Sequence, residues 1–183
     1  MKKNIFLFYL AFLFFCILLP VAAQQTEDVL IEEVPEGYVF YRYQYFYLDI
    51  SLIYPENWLN YSSQERGILI NTPDSQGSIK LLGHPTFRED NTLEKLWVEN
   101  KESLELAGAI FQESVPDTFS GYPAIKALHT IKIGNSIHQY LRYSTVVDNM
   151  FYTFSFQAPA EEFEKYLEKV LTIAHSVLIK TVE

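Results

Sequence analysis

The distribution of apolar residues divides the chain into three parts of different character. All fifteen residues from Ile5 to Leu19 are apolar or aromatic, whereas residues 24–36 are largely polar and contain five acids. From Tyr38 onward, aromatic and β-branched residues alternate with polar ones, as is typical of β-strands and amphipathic helices. The pattern therefore predicts one folded domain over residues 38–183.

Strand patterns dominate this domain. Residues 38–54 are predicted as the first strand, because apolar side chains recur at every second position from Phe46 to Tyr54. Two short strands are predicted over 67–71 and 78–83, separated by the turn residues 72–77. Further strands are predicted over 109–115 and within 124–157, with turns at 134–136 and 148–149.

Two helices complete the pattern. Asn91 and Glu94 have the spacing of a capping box, and Gly108 supplies the stop for the first helix. The last helix carries an apolar stripe: Phe163, Tyr166, Leu167, Val170, Leu171, Ala174, Val177 and Leu178. Strands joined by short turns, with two amphipathic helices, predict an α+β fold in which an antiparallel β-sheet is flanked by helices.

The N-terminal segment has the features of a secretory signal. Lys2 and Lys3 precede the apolar run, Pro20 follows it, and small residues before Gln24 suit cleavage after Ala23. An uncleaved membrane anchor is the alternative, because the run approaches the length that spans a bilayer. We therefore predict a signal peptide over 1–23, a flexible acidic leader over 24–37, and a secreted or extracytoplasmic location in the periplasm or cell envelope.

Cleavage would also change the chemistry of the chain. Residues 1–23 contain two lysines, no acid and the only cysteine, Cys16, so the formal charge would change from −9 to −11. Without a cysteine, thiol catalysis and a cysteine-based zinc site are excluded. An acidic chain is also repelled by phosphates. We expect no nucleic-acid partner, and no membrane insertion after cleavage.

Motifs that would indicate catalysis or a resident cofactor are missing. The sequence has no G-x-S-x-G, no H-E-x-x-H and no glycine-rich phosphate loop. His129 and His138 would share a face of the sheet if the turn after Ile133 had two residues, and would point to opposite faces if it had three. Hydrophobic matching favours three, so the histidines are predicted to be split. We predict no catalytic, cofactor-binding or metal-binding residues.

Tyrosines form the most unusual pattern of the domain. Tyr41, Tyr43, Tyr45 and Tyr47 alternate along the predicted first strand, opposite its apolar face. Tyrosine offers a large contact area with a polar tip, so these four residues are candidates for contact with a partner. The alternative is that helices cover both faces of the sheet and that the tyrosines are simply core residues.

Several short sequence motifs occur in the order seen in PsbP-like domains, and together they cover about residues 38–180. They are Tyr54-Pro55 with Trp58, Gly121-Tyr122-Pro123-Ala124, Tyr152–Phe156 before Ala158-Pro159, and Phe163 and Tyr166 leading to Ser176. The chain thus resembles the family of photosystem II extrinsic subunits and the Ran-binding Mog protein. The strong acidity departs from the photosynthetic members, which dock through exposed lysines.

The resemblance implies an α-β-α sandwich and a non-enzymatic accessory or binding role. Together with the export signal, it leads us to expect a protein partner at or outside the cytoplasmic membrane. Two alternatives are a small-molecule or lipid carrier and, less favoured by the residues, a secreted hydrolase.

Overall fold

The structure, a computed structural model, describes residues 34–64, 67–86 and 91–181. The predicted signal peptide and most of the leader lie outside these residues. The described elements are β1 (Tyr38–Tyr45), β2 (Leu48–Pro55), β3 (Leu59–Asn60), β4 (Ile68–Asn71), β5 (Ser78–Pro85), α1 (Leu93–Leu106), β6 (Ile110–Phe119), β7 (Tyr122–Ile133), β8 (Ser136–Val147), β9 (Met150–Pro159), α2 (Ala160–Ser176) and β10 (Leu178–Lys180).

The strands form two antiparallel sheets. The larger has seven strands in the order β3-β4-β5-β9-β8-β7-β6, and the smaller has three in the order β1-β2-β10. Strands β6 to β9 form a meander joined by tight turns, as the closely spaced strand patterns predict. The α+β class with helices flanking an antiparallel sheet is therefore confirmed.

One face of the seven-stranded sheet, which we call the core face, carries the main hydrophobic core. Phe154 and Phe156 on β9 are fully buried there, and the ring of Phe156 lies 5.4 Å from that of Phe163 on α2. Trp58 meets Tyr166 of α2 edge-on at 6.0 Å. Because the predicted apolar stripe of α2 faces this cluster, burial of that stripe holds the helix on the sheet.

The opposite face of the sheet, which we call the α1 face, carries the first helix. Trp97 is the buried residue of α1 and packs edge-on against Phe111 of β6 at 5.8 Å. The helix is capped by Thr92, whose hydroxyl accepts from the backbone N–H of Lys95, so the prediction of Asn91 as the cap was wrong by one residue. Neither described helix is long and apolar enough to cross a bilayer.

Two boundaries differ from those predicted. Residues 38–54 form a hairpin rather than one strand, because the chain turns at Phe46 and Tyr47 and pairs Tyr45 with Leu48. The last helix ends at Ser176, and Leu178–Lys180 pair with β2. The Ser176 hydroxyl accepts from the backbone N–H of Ile53 at 3.0 Å, which fixes the end of the helix against β2.

The register of the β7–β8 hairpin also differs from the predicted one. Gly134 and Asn135 form a two-residue turn, so that Ile131 faces His138 and His129 faces Tyr140. Both histidines therefore lie on the α1 face. The prediction paired Ile133 with Ile137, but both side chains are exposed at the end of the β7–β8 hairpin, so that pairing would bury little apolar surface.

The side chain of Leu48, in the small sheet, packs against Gly83 of β5 in the large sheet. A Cβ atom at this position would lie 2.6 Å from the side chain of Leu48 and 2.8 Å from the ring of Tyr152. The absence of a side chain thus allows the start of β2 to rest directly on the core face.

We expect Phe163→Ala to lower the free energy of unfolding by about 3–5 kcal/mol, because the change leaves a cavity beside Phe156. Leu106→Ala is the control, since Leu106 is 90% exposed at the end of α1. Urea unfolding of both variants measures the difference. Equal effects would contradict the assignment of the core to the α2 side.

Candidate functional site

The tip of the β1–β2 hairpin exposes two adjacent aromatic side chains, and we call Phe46 and Tyr47 the hairpin tip. Phe46 is 76% exposed and Tyr47 is 72% exposed. Phe46 also has a left-handed backbone, with φ of +49°. A bulky residue in this conformation is strained, and such strain concentrates at functional sites. The tip therefore combines exposed apolar area with a disfavoured backbone.

The three other tyrosines of the alternating pattern, Tyr41, Tyr43 and Tyr45, lie on β1 and face inward. Tyr43 is 6% exposed and belongs to the core, and Tyr41 and Tyr45 are half-buried against it. Burial raises the pKa of Tyr43, so its hydroxyl stays protonated. Only Tyr47 is open to a partner over most of its surface, because the hairpin turn takes it out of the strand.

The outer face of β1 continues the surface of the hairpin tip. Phe40 is half exposed there, and Arg42 donates from Nε and Nη2 to the carboxylate of Asp49 at 2.9 and 2.6 Å. The hydrogen bonds from Arg42 lower the pKa of Asp49. Because β1 is an edge of the three-stranded sheet, its outer backbone groups have no neighbouring strand among the described residues. Free edges of this kind can accept a strand from another chain.

A buried polar cluster lies beneath α1. The ring of His129 is stacked between Tyr140, at 4.8 Å, and Phe111, at 4.9 Å, and neither ring nitrogen has a hydrogen-bond partner among the residues that the structure describes. Burial, and then the charge of Arg142, lower the pKa of His129 to about 4. The ring is therefore neutral at neutral pH and behaves as an aromatic core residue.

Arg142 is the charged member of this cluster. Its Nη1 donates to Oδ1 of Asn100 on α1 at 3.3 Å, and its Nε is buried with no hydrogen-bond partner in the described part of the chain. Ser144, two residues further along β8, is fully buried, and no described residue forms a hydrogen bond with its hydroxyl. Burial lowers the pKa of Arg142, because the charged guanidinium is desolvated. Sequence patterns missed this cluster because the predicted turn length placed His129 opposite Leu141, on the other face of the sheet from Arg142.

An open cleft lies on the same face of the sheet, between α1 and strands β5 and β9. Its volume is about 390 Å³, and it is lined by His84, Pro85, Thr86, Asn91, Leu96, Glu99 and Phe151. The volume lies within the range of small-molecule sites. Leu96 and Phe151 contribute apolar surface to the cleft, and His84 and Glu99 contribute polar groups.

His129 and His138 do not form a metal site with other residues. Although they share the α1 face, no group of three histidine, cysteine or acidic side chains in residues 34–64, 67–86 and 91–181 could hold a metal ion. Two imidazoles alone make a poor zinc site.

No protein-family model and no curated protein sequence matches the chain. Solved structures do match it. PsbP (CyanoP) of Synechocystis sp. PCC 6803 superposes with a TM-score of 0.60 and 10% identity, over 80% of this chain and 95% of that one. LpqN of Mycobacterium tuberculosis, a protein involved in cell envelope biogenesis, superposes with a TM-score of 0.61 and 12% identity, over 78% of this chain and 91% of that one. The Ran-binding protein Mog1p of Saccharomyces cerevisiae superposes with a TM-score of 0.52 and 10% identity, over 71% of this chain and 89% of that one.

The chain thus has the PsbP-like fold, as its sequence motifs indicated. Because the sequence identities are only 10–12%, these structures show a similarity of fold alone.

We expect the protein to lose stability as the pH falls from about 6.5 towards 4. The folded pKa of His129 is about 4, below its ordinary value, so the unfolded chain binds the proton first. The charged groups beside the cluster are Arg142 from β8 and Lys101, which lies over the Phe111 ring and pairs with Glu105. Between pH 7.5 and 4.5 the contribution of His129 amounts to roughly 2–3 kcal/mol.

His129→Phe removes this titration and keeps an aromatic ring between Phe111 and Tyr140. Urea unfolding at pH 7.5 and at pH 4.5 should show that this variant loses less stability than the wild type, by the contribution of His129. The exposed control His175→Gln should lose as much stability as the wild type. An unchanged loss in His129→Phe would show that His129 is not its source.

Proposed function

We propose that this chain is an exported, non-catalytic accessory domain that binds a protein partner at or outside the cytoplasmic membrane. In this proposal residues 1–23 are the export signal, residues 24–37 form a flexible leader, and residues 38–183 form one PsbP-like domain. The observation that carries the binding role is the hairpin tip, where Phe46 and Tyr47 are exposed on a strained turn.

The chemistry of the tip favours a protein as the ligand. Exposed aromatic residues are enriched where proteins bind one another, because they bury a large area with few rotatable bonds. The edge strand β1 lies directly beside the tip and offers backbone donors and acceptors to a partner strand. Arg42 of this strand is paired with the buried carboxylate of Asp49 on β2, which fixes the position of its side chain beside the edge.

The structural neighbours support the same proposal. Mog1p is named as a Ran-binding protein, and LpqN is described as involved in cell envelope biogenesis. A PsbP-like domain can therefore serve as a protein-binding module, and one can serve the cell envelope. No neighbour specifies the partner of this chain.

The tip is tested by placing a photo-crosslinking phenylalanine at position 47 and irradiating the full chain in its native envelope. We expect a discrete covalent adduct from position 47 and none from the control position, Tyr61, which is 50% exposed. Phe46→Ser in the same chain should remove most of the adduct without changing the unfolding midpoint. Identical adducts from both positions, or an adduct insensitive to Phe46→Ser, would reject the tip as the binding site.

Export is tested separately by intact mass and N-terminal sequencing. We expect the mature chain to begin at Gln24, and Ala23→Leu to prevent cleavage because a large residue replaces the small one before the cut. Gln25→Leu, just after the cut, is the control. A wild-type chain that keeps residues 1–23 would instead support the uncleaved anchor.

The second candidate function is a small-molecule or lipid carrier. The 390 Å³ cleft beside α1 favours it, because the cleft joins apolar walls to a few polar groups.

A further inference from the structure

Basic and hydroxyl side chains line up across three strands of the α1 face. Lys80 of β5 lies opposite Ser155 of β9, and Ser155 lies opposite Arg142 of β8. Residues that are directly opposite in antiparallel strands project to the same face. We call these three residues the basic row. Neighbouring strands are about 4.8 Å apart, so the Lys80 and Arg142 backbones are about 10 Å apart and both side chains can reach one group between them.

A second row of hydroxyl groups lies beside the first. Thr153 of β9 faces Ser144 of β8, and each is two residues from a member of the basic row on the same strand. Both therefore project to the α1 face. The Ser144 hydroxyl is buried without a partner, so it has a proton to donate that no described residue accepts.

The two cations of the basic row have no acidic partner among the described residues. Arg42, the other described arginine, makes a two-point contact with Asp49, whereas Arg142 contacts only the neutral amide of Asn100. The chain has 23 acidic residues and a formal charge of −9, so acids are not scarce. An arginine that is largely desolvated without a carboxylate is costly, which indicates that an anion completes the site.

The geometry of Arg142 specifies how that anion would bind. Because Nη1 is occupied by Asn100, the edge formed by Nε and Nη2 remains. This edge presents two parallel N–H donors, the arrangement that matches the two oxygens of a carboxylate or phosphate.

The cleft provides a place for the rest of such a ligand. Phe151, one of its apolar walls, lies on β9 two residues before Thr153 and projects to the same face. The apolar wall therefore adjoins the hydroxyl row directly. Glu99 lines the cleft, so a negative head group is favoured at the basic row rather than at the α1 side.

We propose that the α1 face binds an amphipathic acid, with its oxyanion on the Nε–Nη2 edge of Arg142 and its apolar part in the cleft. Lys80 supplies the second positive charge, and the hydroxyls of Ser144 and Thr153 donate to the remaining oxygens, whereas the Ser155 hydroxyl donates to the backbone carbonyl of Lys80 at 3.5 Å. The ligand class includes free fatty acids and acidic lipid head groups. The inference deepens the carrier alternative and is independent of the hairpin tip, which belongs to the other sheet.

The test is an NMR titration of the full, ¹⁵N-labelled chain with decanoate and, in parallel, with decanol. We expect saturable shifts of the Ser144, Thr153 and Ser155 amides and of the Arg142 Nε–Hε group with decanoate. Lys80→Gln should weaken decanoate binding roughly two- to fivefold, because an exposed charge contributes modestly. Arg142→Gln should weaken it about tenfold or more, because a charged two-point contact is lost.

Lys132→Gln is the matched control, since Lys132 is an equally exposed lysine at the far end of β7. It should leave decanoate affinity unchanged. Lys80→Gln concerns an exposed residue, so it tests the inference even if Arg142→Gln fails to fold. Vesicles of phosphatidylglycerol, compared with phosphatidylcholine, then distinguish the source: shifts with decanoate alone identify a free acid, and shifts with the anionic vesicles identify a head group.

Three results would overturn the inference. They are no saturable shift with decanoate or with anionic vesicles, equal weakening by Lys80→Gln and Lys132→Gln, and decanol binding as tightly as decanoate with no effect of Lys80→Gln. The last result would leave the carrier function standing, with a neutral ligand in the cleft.

Discussion

The antiparallel pairing of β8 with β9 sets the chemistry of both faces of the seven-stranded sheet. With Leu141 opposite Phe156 and Tyr143 opposite Phe154, every second residue of these strands enters the main core. The intervening residues, including Arg142 and Ser155, must then project to the α1 face. A shift of one residue would expose the aromatic rings and bury the polar groups, so the register is strongly determined.

This constraint explains why the two helices are held so differently. On the core face, α2 buries Phe163, Val170 and Ile173 completely, and the Tyr166 hydroxyl donates to Asp74 in the β4–β5 turn. On the α1 face, the helix buries only Trp97 and covers a surface that retains unpartnered polar atoms. One side of the sheet therefore stabilises the fold, and the other has polar groups available for a ligand.

Much of this architecture could be predicted from local patterns. The stripe of α2, the turn at residues 72–77 and the succession of strands gave the correct class, because burial dictates their spacing. The hairpin at Phe46 and Tyr47 could not be predicted, since neither residue favours a left-handed turn. Leu178–Lys180 continues a helical pattern in sequence, and it becomes a strand only because β2 offers an edge.

The candidate sites were less predictable than the fold. Sequence drew attention to Tyr47 through a tyrosine pattern that the hairpin interrupts, whereas Phe46 was taken for a core residue. The turn of Gly134 and Asn135 is compatible with two registers, and the choice between them decides whether His129 shares a face with Arg142 and Ser144. Such a choice depends on packing from distant segments, which a local pattern does not contain.

The close approach at Gly83 has a consequence for binding by the hairpin. Leu48, the first residue after the tip in β2, rests against a position where a side chain would collide with it. The base of the hairpin is thus held against a rigid sheet, so Phe46 and Tyr47 are presented in a defined orientation before any partner arrives. Little conformational entropy then remains to be lost on association, and more of the contact energy is available as affinity.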